Sequence, residues 1–208
     1  MIKTILLVSV VVLVTASFSN NLLARLTIGT LAPNFTLRDS NGQFHSLSTY
    51  KDNYVVLEWT NHDCPFVVKH YKSGNMQKLQ NEFTNKGVIW LTIISSAPAN
   101  QGYCTPEKAN KIVDREKASP SAVLLDPEGT VGRLYNAITT PHMYIVDPAG
   151  TLLYQGAIDS IRSTKIADIP KAKNYVWAAL NASMNGKAIN MSDTRPYGCS
   201  VKYARFLD

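Results

Sequence analysis

The sequence predicts an α/β fold in a single domain, in which short buried strands alternate with helices. The chain has 208 residues, a length at which one hydrophobic core is stable without disulfides or metals. Hydrophobic residues make up 45% of the chain and charged residues 17%, a balance that excludes a disordered chain. Short apolar runs alternate with segments of helical periodicity and supply the third observation.

The first half of the domain is predicted to hold a hairpin, two strands and a long helix. Turn-forming residues at 39–42 separate two polar–apolar alternating segments and predict a β-hairpin within residues 27–50. Apolar runs bounded by polar residues predict buried strands at 54–59 and 88–94. Residues 65–86 have helical periodicity after a first-position proline, and an internal glycine predicts a local break.

The second half is predicted to continue the alternation and to close with an antiparallel hairpin. A Thr-Pro-Glu start, typical of an N-cap and a first helical turn, predicts a helix at 105–118. A short strand is predicted at 122–125 and a short helix at 127–135. Two apolar segments around an Asp-Pro-Ala-Gly turn predict a hairpin at 143–154, and apolar spacing predicts a last helix at 171–184.

The amino terminus has the pattern of a secretory signal peptide. Lys3 precedes an apolar run at residues 5–14, which small residues follow, and the run is too short to span a membrane. We expect a signal peptide within residues 1–24, cleaved between about residues 16 and 24. The mature protein is then secreted or periplasmic, without stable membrane insertion; an uncleaved anchor is the alternative.

Residues 25–208 form the predicted domain, with an irregular tail from about residue 185. The formal net charge is +6, and residues 160–208 contribute +5 of it, from eight basic and three acidic side chains. No Arg-rich run or nucleic-acid motif accompanies this excess, so no nucleic-acid partner is predicted. No zinc-type Cys/His spacing occurs either, and neither a metal nor a cofactor is predicted.

Cys64 is the main candidate for a reactive group. It directly precedes Pro65 at the junction of a predicted strand and a predicted helix, and a helix amino terminus favours a thiolate over a thiol. His62 and His70 are expected to add positive charge, whereas Asp63 opposes the thiolate. A buried structural cysteine is the alternative.

Glu58 is a second candidate, because it is a charged residue inside an apolar run. Buried carboxyl groups usually have raised pKa values and occur at functional sites. We expect Glu58 to transfer a proton to or from Cys64. The alternative is that Glu58 points outward at an edge of the sheet.

Several segments together resemble a known family. The Trp59-x4-Cys64-Pro65 junction and the Thr140-Pro141 pair ahead of a strand resemble the thioredoxin fold, and the segment that begins at Gly29 resembles the start of the AhpC/TSA redoxin family. Residues 61–67 and 198–203 are similar to a bacterial peroxiredoxin-like redoxin subgroup. The resemblance implies a central mixed sheet flanked by helices, with an amino-terminal β-hairpin and a carboxy-terminal tail.

The resemblance also implies a site around Cys64. Pro141 is then a cis-proline beside the reactive cysteine, with Thr140 and His142 on the same rim. From the residues themselves, independently of the resemblance, His62 and Glu58 are assigned to catalysis with Cys64. The residues predicted to bind substrate are Trp59, Asn61, Pro65, Thr140, Pro141 and His142.

The chain departs from both standard mechanisms of these relatives. A peroxiredoxin has Pro-x3-Thr-x2-Cys, but here Leu57 and Asn61 occupy the proline and threonine positions. No arginine can be assigned to the role of orienting a peroxide; Arg115 and Arg133 are candidates for it. A Cys-x-x-Cys pair is absent, because position 67 is valine.

A second cysteine must therefore come from elsewhere in the chain. Cys199, in the tail, is predicted to resolve the oxidised Cys64, as some relatives keep such a cysteine there, and Cys104 is the rival. The expected disulfide joins Cys64 to Cys199 within one chain or between two subunits of a homodimer.

We thus expect a thiol-dependent oxidoreductase that acts on a protein or small-molecule disulfide or on a hydroperoxide, with a thiol electron donor. The alternative is a non-catalytic binding protein of the same fold. A copper carrier belongs to that class, with Cys64 and either His62 or His142 as ligands.

The amino-terminal pattern predicts the first residue of the mature chain. Sequencing of the protein isolated from its host should begin between Ser17 and Arg25. An intact Met1 on membrane-bound material would instead establish the uncleaved anchor.

Overall fold

The computed structural model describes residues 25–204, so the predicted signal peptide lies outside the described residues. The strands are β1 (Thr36–Asp39), β2 (Phe44–Ser46), β3 (Val55–Trp59), β4 (Ile89–Ile94), β5 (Ala122–Leu125), β6 (Thr139–Thr140), β7 (His142–Val146), β8 (Leu152–Gly156) and β9 (Cys199–Ser200). The α-helices are α1 (Pro65–Lys72), α2 (Asn75–Thr84), α3 (Pro106–Glu116), α4 (Thr130–Leu134) and α5 (Tyr175–Met184). Two 3-10 helices cover Leu47–Tyr50 and Ile166–Lys171.

Seven strands form one mixed sheet in the order β2-β1-β5-β4-β3-β7-β8. The three central strands β5, β4 and β3 are parallel, and β7 and β8 extend the sheet antiparallel beside β3. On the other side, the predicted amino-terminal hairpin joins β5 through β1. The predicted mixed α/β sheet is therefore confirmed.

Both faces of the sheet are covered. Side chains of β3, β4 and β7 alternate between two hydrophobic clusters, as successive residues of a strand must. One cluster packs against α2 and α5, and the other packs against α4 and the segment before β1. Helix α3 covers the ends of β4 and β5 in a third, smaller cluster. The strand β3, which leads to Cys64, is buried along its whole length.

The predicted break in the long first helix is confirmed. Gly74 separates α1 from α2 and has φ = +73°, a left-handed conformation that glycine adopts without a steric penalty. The last predicted helix is shorter than expected, because α5 begins at Tyr175 and a 3-10 helix precedes it.

The tail contains a pairing that the sequence did not indicate. β9 pairs antiparallel with β6 in a separate two-stranded sheet, so the irregular tail returns to the start of β7. Within residues 25–204, no helix is long and apolar enough to cross a membrane.

Candidate active site

Cys64 occupies the N-cap of α1, at the end of a short turn after β3. Pro65 follows as the first helical residue, where its missing N–H is not needed. The Cys64 carbonyl accepts hydrogen bonds from the backbone N–H groups of Val67 and Val68 (both 2.9 Å), and its own N–H donates to Asn61 O (2.9 Å). The strand-to-helix junction predicted from the sequence thus fixes the backbone of the cysteine.

The cis-proline implied by the family resemblance lies against this cysteine. The Thr140–Pro141 peptide bond is cis, and the Cys64 thiol donates a hydrogen bond to Thr140 O, with Sγ and O 3.1 Å apart. The hydroxyl oxygen Oγ1 of Thr140 is buried and has no hydrogen-bond partner among the described residues. The Thr140 carbonyl therefore accepts from the Cys64 thiol, and its hydroxyl, which has no other described partner, is the donor that helps lower the pKa of Cys64.

Cys199 is brought to the same place by the pairing of β9 with β6. In this register Cys199 lies opposite Thr140, whose carbonyl contacts Cys64. Gly198 makes the approach feasible: its φ is +144°, and a Cβ at this position would overlap the Thr140 carbonyl oxygen. Only glycine fits there, because any side chain would push the tail away from Cys64. All three cysteines of the chain are free thiols in this structure.

The two thiols at this site differ in acidity. Burial raises the pKa of the Cys64 thiol. Hydrogen bonds have the opposite and larger effect, so the pKa lies below its ordinary value. They come from the side chains of Cys199 and Thr140 and from the backbone N–H groups of Cys199 and Val67. Burial, followed by the hydrogen bond and charge of Cys64, raises the pKa of Cys199 to about 12. The pair therefore ionises first at Cys64, and Cys199 keeps its proton.

The more acidic of the two thiols is the less exposed one. Cys64 has 0% of its surface exposed, whereas Cys199 is only partly buried. An external group therefore meets Cys199 before it meets Cys64, unless the tail moves away.

Glu58 does not join this site. It is buried in the central strand β3, not at a sheet edge, and burial raises its pKa against the effect of four hydrogen bonds. Its carboxyl oxygens accept these hydrogen bonds from Tyr71, Gln80, Trp90 and Thr92, at 2.8–3.3 Å. These contacts engage the carboxyl group in a core network, and no described hydrogen bond joins it to Cys64.

Trp59 and Asn61 are also buried, and their side chains make contacts within the protein. Trp59 is fully buried, packs against Tyr135 and Tyr144, and donates from Nε1 to Ser95 Oγ (3.0 Å). The Asn61 side chain shapes the turn before Cys64, because Oδ1 accepts from the N–H of Asp63 (2.9 Å). Of the residues predicted to bind substrate, Pro65 is the exposed one.

The histidines do not supply the positive charge expected from the sequence. Burial is the main cause that lowers the pKa of each: His62 lies below its ordinary value, His70 has a pKa of about 4, and His142 has a pKa of about 3. All three side chains are therefore neutral near pH 7. The acidity of Cys64 comes from hydrogen bonds instead.

His62 contacts the third cysteine. Its Nδ1 lies 3.6 Å from Cys104 Sγ, and its Nε2 lies 3.3 Å from Asp63 Oδ2. Burial raises the pKa of the Cys104 thiol. Of the two candidate partners, the structure thus brings Cys199 to Cys64 and Cys104 to His62. No group of three or more potential metal ligands is assembled by the described part of the chain.

A cavity of about 290 Å³ lies beside the site, between α1 and α3. Its wall is mainly apolar, from Val67, Ile94 and Val113, and His62 and Tyr71 contribute polar groups. Arg115, a sequence candidate for peroxide binding, is also in this wall and pairs with Glu116. Arg133, the other candidate, lies over the ring of Tyr203 at 4.6 Å.

The fold and the site define the class of protein: a thioredoxin-like chain with two thiols beside a cis-proline. The chain belongs to the AhpC/TSA family, whose model matches residues 28–155. The match ends well before the tail, so Cys199 lies outside the matched region.

Solved structures show the same fold. An uncharacterised conserved protein from Geobacillus kaustophilus is 28% identical, with a TM-score of 0.76 over 86% of this chain and 93% of that chain. A hypothetical protein from Sinorhizobium meliloti is 24% identical, with a TM-score of 0.73 over 87% and 97% of the two chains. A candidate protein disulfide isomerase from Bacteroides thetaiotaomicron is 18% identical, with a TM-score of 0.51 over 62% and 78%. No curated protein matches the chain.

The hydrogen bonds around Cys64 predict how its acidity responds to the tail. Replacing Cys199 by alanine removes the side-chain donor, so the pKa of Cys64 should rise; Cys199→Ser keeps a hydroxyl donor and should raise it less. The pH midpoint of iodoacetamide labelling at Cys64, measured with Cys104 replaced by serine, reports this pKa independently of access. An unchanged midpoint in Cys199→Ala would show that the tail does not stabilise the thiolate.

Buried His142 predicts a loss of stability in acid. Ile138 N–H donates to its Nδ1 (3.4 Å), while its Nε2 is buried without a partner among the described residues. Because burial lowers its folded pKa from 6.5 to about 3, the unfolded state binds more protons between these pH values. Stability therefore falls as the pH falls through this window, by about 3 kcal/mol at pH 4.

Urea unfolding at pH 7 and pH 4 tests the size of this contribution. The wild type should lose about 3 kcal/mol more than His142→Gln between the two pH values, because glutamine does not titrate. Equal losses would mean that His142 is not the group that is protonated.

Proposed function

We propose that this protein is an extracytoplasmic thiol-based redox protein whose Cys64 and Cys199 cycle between a dithiol and a disulfide. The observation that carries the proposal is the pairing of Cys199 with Thr140, whose carbonyl oxygen accepts a hydrogen bond from the Cys64 thiol (3.1 Å). Membership of the AhpC/TSA family supports the same chemistry. The extracytoplasmic compartment rests on the sequence pattern within residues 1–24.

Cys64 is the nucleophile in this proposal, because its pKa is the lower of the pair. Its thiolate attacks one sulfur of a disulfide, forms a mixed disulfide and releases the other sulfur as a thiolate. With a hydroperoxide, the thiolate attacks the terminal oxygen to form a sulfenic acid and releases an alcohol after taking up a proton.

Cys199 completes the cycle. After losing its proton, it attacks the Cys64 sulfur of either intermediate and forms the Cys64–Cys199 disulfide, releasing a thiol or, from the sulfenic acid, water. The charge on Cys64 disappears in both intermediates, and the effect by which it raises the pKa of Cys199 disappears with it. The second thiol thus becomes more acidic at the step in which it acts.

The reductive half of the cycle is directional. An external thiolate reaches Cys199 more easily than the fully buried Cys64. Attack at Cys199 also expels Cys64, the sulfur with the lower pKa and therefore the better leaving group. The electron donor should accordingly form its mixed disulfide with Cys199.

Mild oxidation tests the proposal directly. Protein covering residues 25–208, treated with glutathione disulfide, should yield a Cys64–Cys199 disulfide in non-reducing peptide maps. Cys104→Ser should form the same bond, because Cys104 contacts His62 instead, whereas Cys64→Ser should abolish it. Hydrogen peroxide in place of glutathione disulfide tests the second substrate class.

Three results would contradict the proposal in different ways. A Cys64–Cys104 bond would transfer the resolving role to Cys104. Three free thiols after both treatments would remove the two-cysteine mechanism and favour a non-catalytic binding protein. The same disulfide with no turnover of insulin, glutathione disulfide or peroxide would leave a redox-sensitive binding protein.

A further inference from the structure

A cluster of buried charged and polar groups connects the tail to the helix that carries Cys64. Lys69, on α1, has a fully buried side chain, and its Nζ lies 3.4 Å from Asp159 Oδ2 and 3.5 Å from the Tyr197 hydroxyl oxygen. The Tyr197 hydroxyl donates to Asp159 Oδ1. Tyr197 is two residues before Cys199, and Lys69 is one turn of helix after Cys64.

Other contacts fix each member of this cluster. The N–H of Ile161 donates to Asp159 Oδ1 (3.0 Å), and Ile161 O lies 3.4 Å from Lys69 Nζ. The Tyr197 ring packs edge-on against Phe66 of α1, with ring centroids 5.8 Å apart. The tail is thus held to α1 by an apolar contact and by a charge-assisted hydrogen bond, directly before the residue that faces Cys64.

Burying such a pair of charges is costly, and the gain in stability over apolar residues is small or absent. The cluster therefore needs a reason beyond stability, and its position supplies one. It is the last side-chain anchor of the tail before the Gly198-Cys199 segment, in which Gly198 has no side chain with which to hold the backbone.

We propose that Lys69, Asp159 and Tyr197 are positioning residues that hold Cys199 against Cys64 and so set how readily the two thiols form a disulfide. The inference rests on the proposed function, since it assumes that the two cysteines form a redox pair. In the dithiol state the cluster orders the tail in advance. Without it, closing the disulfide must order a mobile segment, and the closure becomes less favourable.

The equilibrium with glutathione measures this effect. The protein dithiol reacts with one glutathione disulfide to give the protein disulfide and two molecules of glutathione, so two electrons and two protons pass from the cysteines to glutathione. The equilibrium constant of this reaction reports the redox potential of the pair. All variants carry Cys104→Ser, so that only Cys64 and Cys199 can react.

Tyr197→Phe is the sharpest variant, because it removes the hydroxyl and keeps the ring against Phe66. Its equilibrium constant for disulfide formation should fall about tenfold, the ratio expected for the loss of one hydrogen bond to a charged group. Tyr54→Phe is the matched control: it removes a hydroxyl that contacts Ser183 (3.0 Å), on the face of the sheet covered by α5, and should leave the constant unchanged.

Each outcome decides between the alternatives. If the parent protein forms the disulfide and Tyr197→Phe has the same constant, the positioning role is wrong while the redox pair stands. If the equilibrium constants of both tyrosine variants fall equally, the loss is a general effect of destabilisation, and the positioning role is again wrong. If the parent protein forms no disulfide, the proposed function itself fails.

Thermal unfolding of each variant shows whether a change in the equilibrium constant comes from loss of the fold. Should Tyr197→Phe not unfold cooperatively, Lys69→Met tests the cluster from the helix side, since methionine fills the same apolar space without the charge. A folded Lys69→Met protein with the parent constant would overturn the proposal. The proposal is supported if the equilibrium constant of Lys69→Met is lowered by about tenfold or more while Tyr54→Phe unfolds as the parent protein does.

Discussion

The antiparallel pairing of Thr140 with Cys199 is the contact on which the rest of the site depends. It places a backbone N–H and a thiol beside Cys64, and these donors overcome the effect of burial on its pKa. Without the tail, Cys64 would lose both donors that Cys199 supplies and would keep only Thr140 and the N–H of Val67 against the effect of burial. The helix amino terminus contributes the N–H of Val67, but the larger contributions come from Cys199 and Thr140. The low pKa of Cys64 therefore depends on tertiary contacts more than on its place at a helix amino terminus.

The same pairing stabilises the Cys64 thiolate and restricts the access of a substrate to it. The tail supplies donors that lower the pKa of Cys64, and Cys64 is fully buried in the structure that contains this tail. A bulky disulfide can reach it only if the tail moves, and movement removes the donors that stabilise the thiolate. A small oxidant, or exchange that enters through Cys199, avoids this conflict. In the proposed redox cycle, the site is thus better arranged to accept electrons at Cys199 than to release them from Cys64 to a large partner.

Much of the fold was predictable from the sequence because local patterns determine it. The strand-to-helix junction at Cys64 follows from an apolar run and a first-position proline, and the break at Gly74 from a single glycine. The cis bond before Pro141 came from the family resemblance. The β6–β9 pairing was not predictable, since two-residue strands have no periodicity and their register depends on contacts distant in sequence.

The candidate site was predicted less completely, and the misses share a cause. Glu58 and His62 were assigned to the site on chemical type and on proximity in sequence, and His142 was placed there by the family resemblance. Alternation along β3 directs Glu58 toward α1, α2 and β4, and burial makes the histidines neutral. Tyr197 and Lys69 were passed over, because nothing in a single sequence shows that a lysine on one helix meets an aspartate 90 residues later. The Gly-Cys pair at 198–199 was the only local hint of the tail's approach.

The two buried polar clusters together explain how α1 is oriented. Tyr71 connects the helix to Glu58 in the sheet, and Lys69, two residues earlier, connects it to Asp159 and the tail. Hydrogen bonds have narrow geometry, whereas apolar packing tolerates small shifts, so these contacts restrict rotation of the helix more than its apolar residues do. Because Cys64 caps this helix, a rotation of α1 would move its sulfur relative to Thr140 and Cys199. The two buried polar clusters therefore bear on the site through the helix that carries the cysteine, without a hydrogen bond from Glu58 or Lys69 to Cys64.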